Sequence, residues 1–241
     1  MQALGFSTGA LALSDFREAL LILRDQPAVS VIELSAIRER ELVPLLRALD
    51  DLDLSQFSYV SIHAPSSFSP DAETWIAQEL YGVQHFGWPI VVHPDTLHDL
   101  SLWRPLGNLL CIENMDKRKA AGRTVRELER LFDEFPQASF CFDIGHARQV
   151  DTSMTEAYRM LKRFSSRLRQ VHISEVNTLN KHDRLSFVSI MDFQEVTHLI
   201  PPSIPVIIES VVDGDQIGAE ICRVQSALRA ADDRPRAPVP A

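Results

Sequence analysis

Residues 141–150 read CFDIGHARQV. The run leading in, Ser139 to Phe142, has the composition of a buried strand, yet it stops on a carboxylate, Asp143. An imidazole, His146, follows three residues later. The same break recurs along the chain. VSIHAP ends a run at His63, IVVHPD at His93, LCIENMD at Glu113, QVHISEVN at His172 and PVIIES at Glu209. One such place is accident; a series calls for an architecture that gathers strand ends.

The segments between supply that architecture. Strand-like runs are expected over 4–7, 28–34, 57–63, 90–93, 109–113, 139–143, 170–173 and 206–209. Amphipathic stretches alternate with them, among them SDFREALLILRDQ from Ser14, TVRELERLFDEF from Thr124 and TEAYRMLKRFSS from Thr155. Each opens on a hydroxyl residue with an acidic or amide residue near the first turn, as a helix start does. The fourth crossover, LHDLSLWRPLG, is weak and is expected to hold only a short helix. Eight strand-then-helix units predict a parallel sheet. Eight is also the number that closes a (β/α)8 barrel. An open doubly wound sheet is the alternative, but its first turn would carry a glycine-rich phosphate loop, and FSTGAL has one glycine. The expectation is one barrel domain over 1–230 and a loose, proline-rich tail over 231–241, ADDRPRAPVPA.

Composition narrows the function. The 241 residues carry 45 % apolar side chains and a formal net charge of −9 from 24 basic and 33 acidic residues. That core is large enough to fold, and the charge disfavours a general nucleic-acid binder, which needs a basic surface. Cys111, Cys141 and Cys222 are too few and odd in number for a disulfide framework. The N-terminus lacks the basic and apolar regions of a signal peptide, and no run is long enough to span a membrane. A cytoplasmic enzyme with a small-molecule substrate is the expectation; a homo-oligomer stays open.

In a barrel, catalytic residues come from the C-terminal strand ends. There the sequence places His63, His93, Glu113, Asp143, His146, His172 and Glu209, with His182 and Asp183 in the loop KHDRL after the seventh strand. Glu33 ends the second strand and reads alone as an ordinary strand-end residue. Cys111 and Cys141 share faces with Glu113 and Asp143, one layer down, and read as small core filler. His85, His98 and His198 fall in crossovers and read as structural or exposed. Carboxylates and imidazoles converging on one mouth would be costly to desolvate unless a cation compensated them. A divalent ion does so with ionised oxygen and neutral imidazole ligands, and this donor set suits Zn, Mn, Fe and Co alike. The loop MDKRKAAGR holds Lys117, Arg118, Lys119 and Arg123; Arg148, Lys181 and Arg184 lie in the next two mouth loops. This basic charge on the active face fits either an anionic substrate group or a solvated loop. Lys117, Arg148 and Arg184 are the candidate substrate contacts.

The ordered set of IEN, DIGH, HISE and IIES resembles the xylose-isomerase-like barrels, which include sugar isomerases, sugar epimerases and endonuclease IV-type enzymes (the family 2 AP endonucleases). The resemblance covers strands three to eight and implies two patterns. Epimerase-like members hold one Mn, Co or Mg ion on a Glu, Asp, His, Glu quartet, here Glu113, Asp143, His172 and Glu209. The two glutamates would exchange the substrate proton through a metal-stabilised enediolate, and His146 would contact substrate. Endonuclease IV-like members hold up to three zinc ions and add histidines in HAP-like and HPG-like motifs, here His63 and His93, together with His146. This chain departs after the seventh strand, with Asp183-Arg184-Leu185 where those members have Asp-Arg-His and then glycines; His182 is the substitute. Metal-dependent sugar or sugar-phosphate isomerase or epimerase is the first reading, an endonuclease IV-like phosphodiesterase the second, and a non-catalytic barrel the third.

Overall fold

The computed structural model describes residues 2–13, 15–179 and 181–229. The expected tail over 231–241 and the helix start at Ser14 lie outside them. Eight parallel strands close a barrel: β1 (Leu4–Ser7), β2 (Val31–Ser35), β3 (Tyr59–His63), β4 (Ile90–Val92), β5 (Leu110–Glu113), β6 (Ser139–Asp143), β7 (Leu168–Ile173) and, after a two-residue ribbon, β10 (Val206–Ile208). β1 closes the ring by pairing with both β2 and β10. The ribbon is β8 (Glu175–Val176) with β9 (His182–Asp183), antiparallel, in the loop after β7. The expected strands recur with small shifts at their ends. The second starts at Val31 rather than Ala28, because Val29 closes a turn on Gln26. His93 and Glu209 stand one residue past their strands, at the rim.

Side-chain alternation divides the strands into two faces. Phe6, Ile32, Leu34, Ile62, Val92, Ile112, Phe142 and Ile208 belong to the main hydrophobic core, shared with the helices. The other face lines the lumen, where Val91, Cys111 and Cys141 form a separate small cluster. Both cysteines therefore fill space below the mouth. The β1–β2 approach is close enough that a Cβ on Gly5 would sit 1.7 Å from the Val31 carbonyl oxygen, so only glycine fits there.

The helices are α1 (Thr8–Leu11), α2 (Phe16–Leu23), α3 (Glu39–Ala48), α4 (Glu73–Gly82), α5 (Val125–Glu134), α6 (Ile144–Val150), α7 (Thr155–Arg163), α8 (Phe187–Gln194) and α9 (Ile217–Ala227). α5 shows the general rule: Val125, Leu128 and Phe132 are buried at helical spacing, and the Thr124 hydroxyl caps it by accepting from the Glu127 amide. α2 is capped by Asp15. α7 departs from expectation, since the Asp151 carboxylate, not Thr155, takes up the Glu156 amide. The fourth crossover holds no α-helix among its described residues but three short 3-10 segments, at Pro94–Thr96, Leu100–Leu102 and Arg104–Leu109. The reason is Glu73. Its buried carboxylate accepts from the His98 and Asp99 amides and from the Trp103 indole at 2.8–3.1 Å. Those bonds replace the helical ladder and seat Trp103 fully inside.

Candidate metal centre

The mouth is built by local devices that the motifs encode. In DIGH, Asp143 caps α6 through Oδ1, which accepts from the His146 amide at 2.6 Å. That bond spends one carboxylate oxygen and leaves Oδ2 aimed into the mouth, with no hydrogen-bond partner among the described residues. Gly145 lets α6 settle on the end of β7: a Cβ there would lie 2.5 Å from the Ser174 carbonyl oxygen. In IEN, Asn114 clamps the tip of β6. Its amide donates to the Asp143 carbonyl and its oxygen accepts from the Asp143 N–H, both at 2.8 Å. Asn114 stands within the IEN motif, but the sequence pattern alone gives it no task.

Glu113 sits at the centre, 1 % exposed. Its Oε2 lies 3.2 Å from His63 Nε2 and 3.3 Å from His93 Nε2. Its Oε1 lies 3.2 Å from His146 Nδ1 and 3.6 Å from His172 Nδ1. Three candidate ligand groups share it: His63, His93 and Glu113 on one side, Glu113, Asp143, His172 and Glu209 on the other, and Glu113, Cys141 and His172 below; a fourth joins Glu33, His63 and Glu209. The quartet also brings His172 Nδ1 to 3.4 Å from Glu209 Oε1. Four ligands around an ion with bonds of about 2.0–2.1 Å stand about 3.3–3.4 Å apart along a tetrahedron's edges. The separations from His63 and His93 to Glu113, and from His172 to Glu113 and Glu209, fall around that value.

Ring orientation agrees with ligation. His63 donates Nδ1–H to the Ala64 carbonyl at 2.6 Å, leaving Nε2 toward Glu113. The second nitrogen of His172 faces Glu33, and Nδ1 has no hydrogen-bond partner among the described residues. Two buried orphans, Asp143 Oδ2 and His172 Nδ1, belong to one candidate ligand group. Buried polar atoms without partners are rare in folded proteins, and these two fit a divalent ion. His146 differs: its Nδ1 donates to the Asn114 carbonyl at 3.0 Å. The ribbon brings in His182, whose Nδ1 bonds the Ser174 hydroxyl at 2.7 Å and lies 3.4 Å from Glu209 Oε2. Asp183 turns away to Asn177, and Leu185 is core.

The buried carboxyls and imidazoles shift one another's proton affinities strongly. Burial raises the Glu209 carboxyl to about 8, and the neighbouring Glu113 and Asp143 charges add to this against His172. Burial opposes charge on Glu113 too, but the surrounding imidazoles, His172 and His93 foremost, hold it well below the usual range. Burial disfavours charge on His63 and His146, yet Glu113, with Glu33 for the first and Asp143 for the second, lifts them to about 9 and about 10. Burial and the nearby His146 charge push His182 down to about 3. A divalent ion would compensate the carboxylates in place of protons.

The expected anion contacts fare differently. Arg148 donates to Asp192 at 2.6 Å and lies 3.9 Å from Glu175. Arg184 donates to Gln216 at 3.2 Å on the outer surface. In the basic loop, Arg118 pairs with Asp116, Lys119 with Asp95 and Arg123 with Glu127. Lys117 is exposed and makes no ion pair among the described residues. Sequence reasoning reads Glu33 only as an ordinary strand-end residue. It is fully buried in the lumen and bonds His172, 139 residues away. The only signal was a carboxylate inside an apolar run, with no motif around it.

No protein-family model and no curated protein matches this sequence. Solved structures do match in shape. Endonuclease IV from Thermus thermophilus superposes with a TM-score of 0.60 at 16 % identity, covering 94 % of this chain and 98 % of that one. The apo form of a 3-keto-D-glucoside 4-epimerase from E. coli gives 0.56 at 13 % identity, covering 94 % and 99 %. A family 2 AP endonuclease from Brucella melitensis gives 0.54 at 10 % identity, covering 90 % and 96 %. Among the described residues no helix is long and apolar enough to cross a membrane. At these identities the likeness is one of fold, and the chain has the (β/α)8 barrel fold shared by an epimerase and two endonucleases.

Proposed function

We propose that the chain is a divalent-metal-dependent hydrolase of phosphate esters, with residues at its barrel mouth that would hold two ions and Glu113 common to both groups. The observation that carries this is the division of Glu113: one oxygen faces His63 and His93, the other faces His172 and the quartet. Two such ions, when bound, supply Lewis-acid activation of water and neutralise charge on a transferring phosphoryl group. Glu113 would bridge, His63 and His93 would complete one side, and Asp143, His172 and Glu209 the other. His146 and His182, at the rim, would meet substrate. The acidic chain and the paired mouth arginines favour a small phosphoester over a long nucleic acid.

The epimerase reading, first in rank from sequence, keeps one specific support. The quartet is complete, and Glu113 and Glu209 have proton affinities pushed apart, as an acid–base pair needs. It asks Glu113 to pass a proton to substrate, however, and the oxygen that would do so is directed at two imidazoles. The test is a substrate panel with Zn2+-, Co2+- or Mn2+-loaded protein. Release of phosphate or alcohol from model phosphoesters, lost in H63A/H93A, is expected. Isomerisation of ketoses or sugar phosphates, retained in H63A/H93A and lost in Glu209→Gln, would overturn the hydrolase reading in favour of the epimerase.

A further inference from the structure

We propose that Glu33 is a positioning residue: it holds the Nε2 proton of His172 and so presents Nδ1 to an ion. The inference rests on the metal reading above and extends it to β2, whose Glu33 lies outside the two ion groups proposed there although its carboxylate is also within ligand reach of His63 and Glu209. Glu33 is fully buried, a costly place for a carboxylate unless donors surround it. Three do, all on Oε2, while Oε1 has no hydrogen-bond partner among the described residues. Oε2 accepts from Gln170 Nε2 at 2.7 Å, His172 Nε2 at 2.9 Å and the Ser61 hydroxyl at 3.1 Å.

An ionised carboxylate only accepts, so the bond to Glu33 places a proton on His172 Nε2. Gln170 Nε2 also stands 2.7 Å from His172 Nε2, and an imidazole nitrogen that donates to Glu33 cannot accept from that amide. The amide gives its N–H to Glu33 and takes the Tyr59 hydroxyl on its oxygen at 2.7 Å. The assignment of the Nε2 proton therefore rests on Glu33, the one member of the set that can only accept. Tyr59, Gln170 and Glu33 form a chain that rises through the lumen and ends on His172. Whatever proton Nδ1 carries in the free protein is then the one an ion displaces, and Nε2 keeps its own. Nδ1 already stands 3.4 Å from Glu209 Oε1 and 3.6 Å from Glu113 Oε1. A carboxylate behind a ligating imidazole sets its orientation and basicity, and loss of such a partner costs about 10–100-fold in metal affinity.

The experiment measures Zn2+ affinity by chelator competition in wild type, E33L, E33Q and S61A, with histidine 15N spectra of the wild-type chain before and after Zn2+. E33L is expected to bind about 10–100-fold more weakly. E33Q, whose amide oxygen can accept the same donors, should lose less, and S61A, which removes a donor that does not touch His172, should stay near wild type. The His172 signals, assigned by their loss in His172→Gln, should show Nδ1 responding to Zn2+ while Nε2 remains protonated. Zn2+ bound through Nε2, E33L binding as tightly as wild type, or S61A falling as far as E33L would each overturn the role of Glu33 and leave the centre standing. If E33L does not fold, the wild-type spectrum decides. A wild-type chain that takes up no Zn2+ overturns the centre itself, and Glu33's role with it.

Discussion

Removing the Asn114 side chain should cost the protein more than any surface change, because Asn114 holds the tip of β6 rather than filling space. Its amide makes two 2.8 Å bonds to the Asp143 backbone, and both residues are fully buried. In Asn114→Ala the Asp143 N–H loses its acceptor with no route to water, while the Asp143 carbonyl, at the N-cap of α6, loses one donor and keeps the first bond of the helix. One orphaned buried group costs about 1–3 kcal/mol. For a chain of this size each kcal/mol lowers Tm by about 2–4 °C, so the midpoint should fall by about 2–12 °C. Urea unfolding followed by circular dichroism measures this directly, with the slope unchanged if only stability has moved. Asn114→Asp restores the acceptor for Asp143 N–H but faces a carboxylate oxygen to the Asp143 carbonyl, beside Glu113. It should be no more stable than the alanine variant. A loss below about 1 kcal/mol in Asn114→Ala would refute the clamp.

The glycine of DIGH and the ion-binding centre give two more tests. Gly145→Ala places a methyl group 2.5 Å from the Ser174 carbonyl oxygen, and overpacking of this kind costs about 1–3 kcal/mol; a melting temperature equal to wild type would show that α6 can move aside freely. Zn2+ or Co2+ at about 100 times its dissociation constant should stabilise the folded chain by about 2.7 kcal/mol per independent site. Thermal melts of chelator-treated protein with and without added ion read this, and identical melts would contradict a structured centre.

Much of this architecture was legible because barrel strands announce themselves twice. Their apolar runs mark them as buried, and their last residues turn polar where the lumen opens. Asp143, Glu113 and His172 were visible on that ground, and each sits at the mouth. Glu33 was visible too, but only as a lone strand end, since its partner His172 lies across the lumen on β7 and nothing in the residues near Glu33 reports a contact 139 positions away. Arg148 misled for a related reason. Its charge is readable, but its pairing with Asp192, 44 residues on, is decided by where α8 docks. The fourth crossover reads as weak, with only a short helix, but the cause is not legible locally: Glu73, on the preceding helix, takes over the amides that a helix there would have used, and three short 3-10 segments remain. Local pattern fixes strands and their ends; the partners of polar side chains depend on closure of the ring.

Ions bound per chain, counted by elemental analysis of tag-free protein purified without chelator or added metal, is the most direct measurement. The bridged centre predicts two per chain, falling to one in H63A/H93A. One ion per chain, unchanged when both histidines are removed, would contradict the bridge and leave Glu113, Asp143, His172 and Glu209 as a single-ion site.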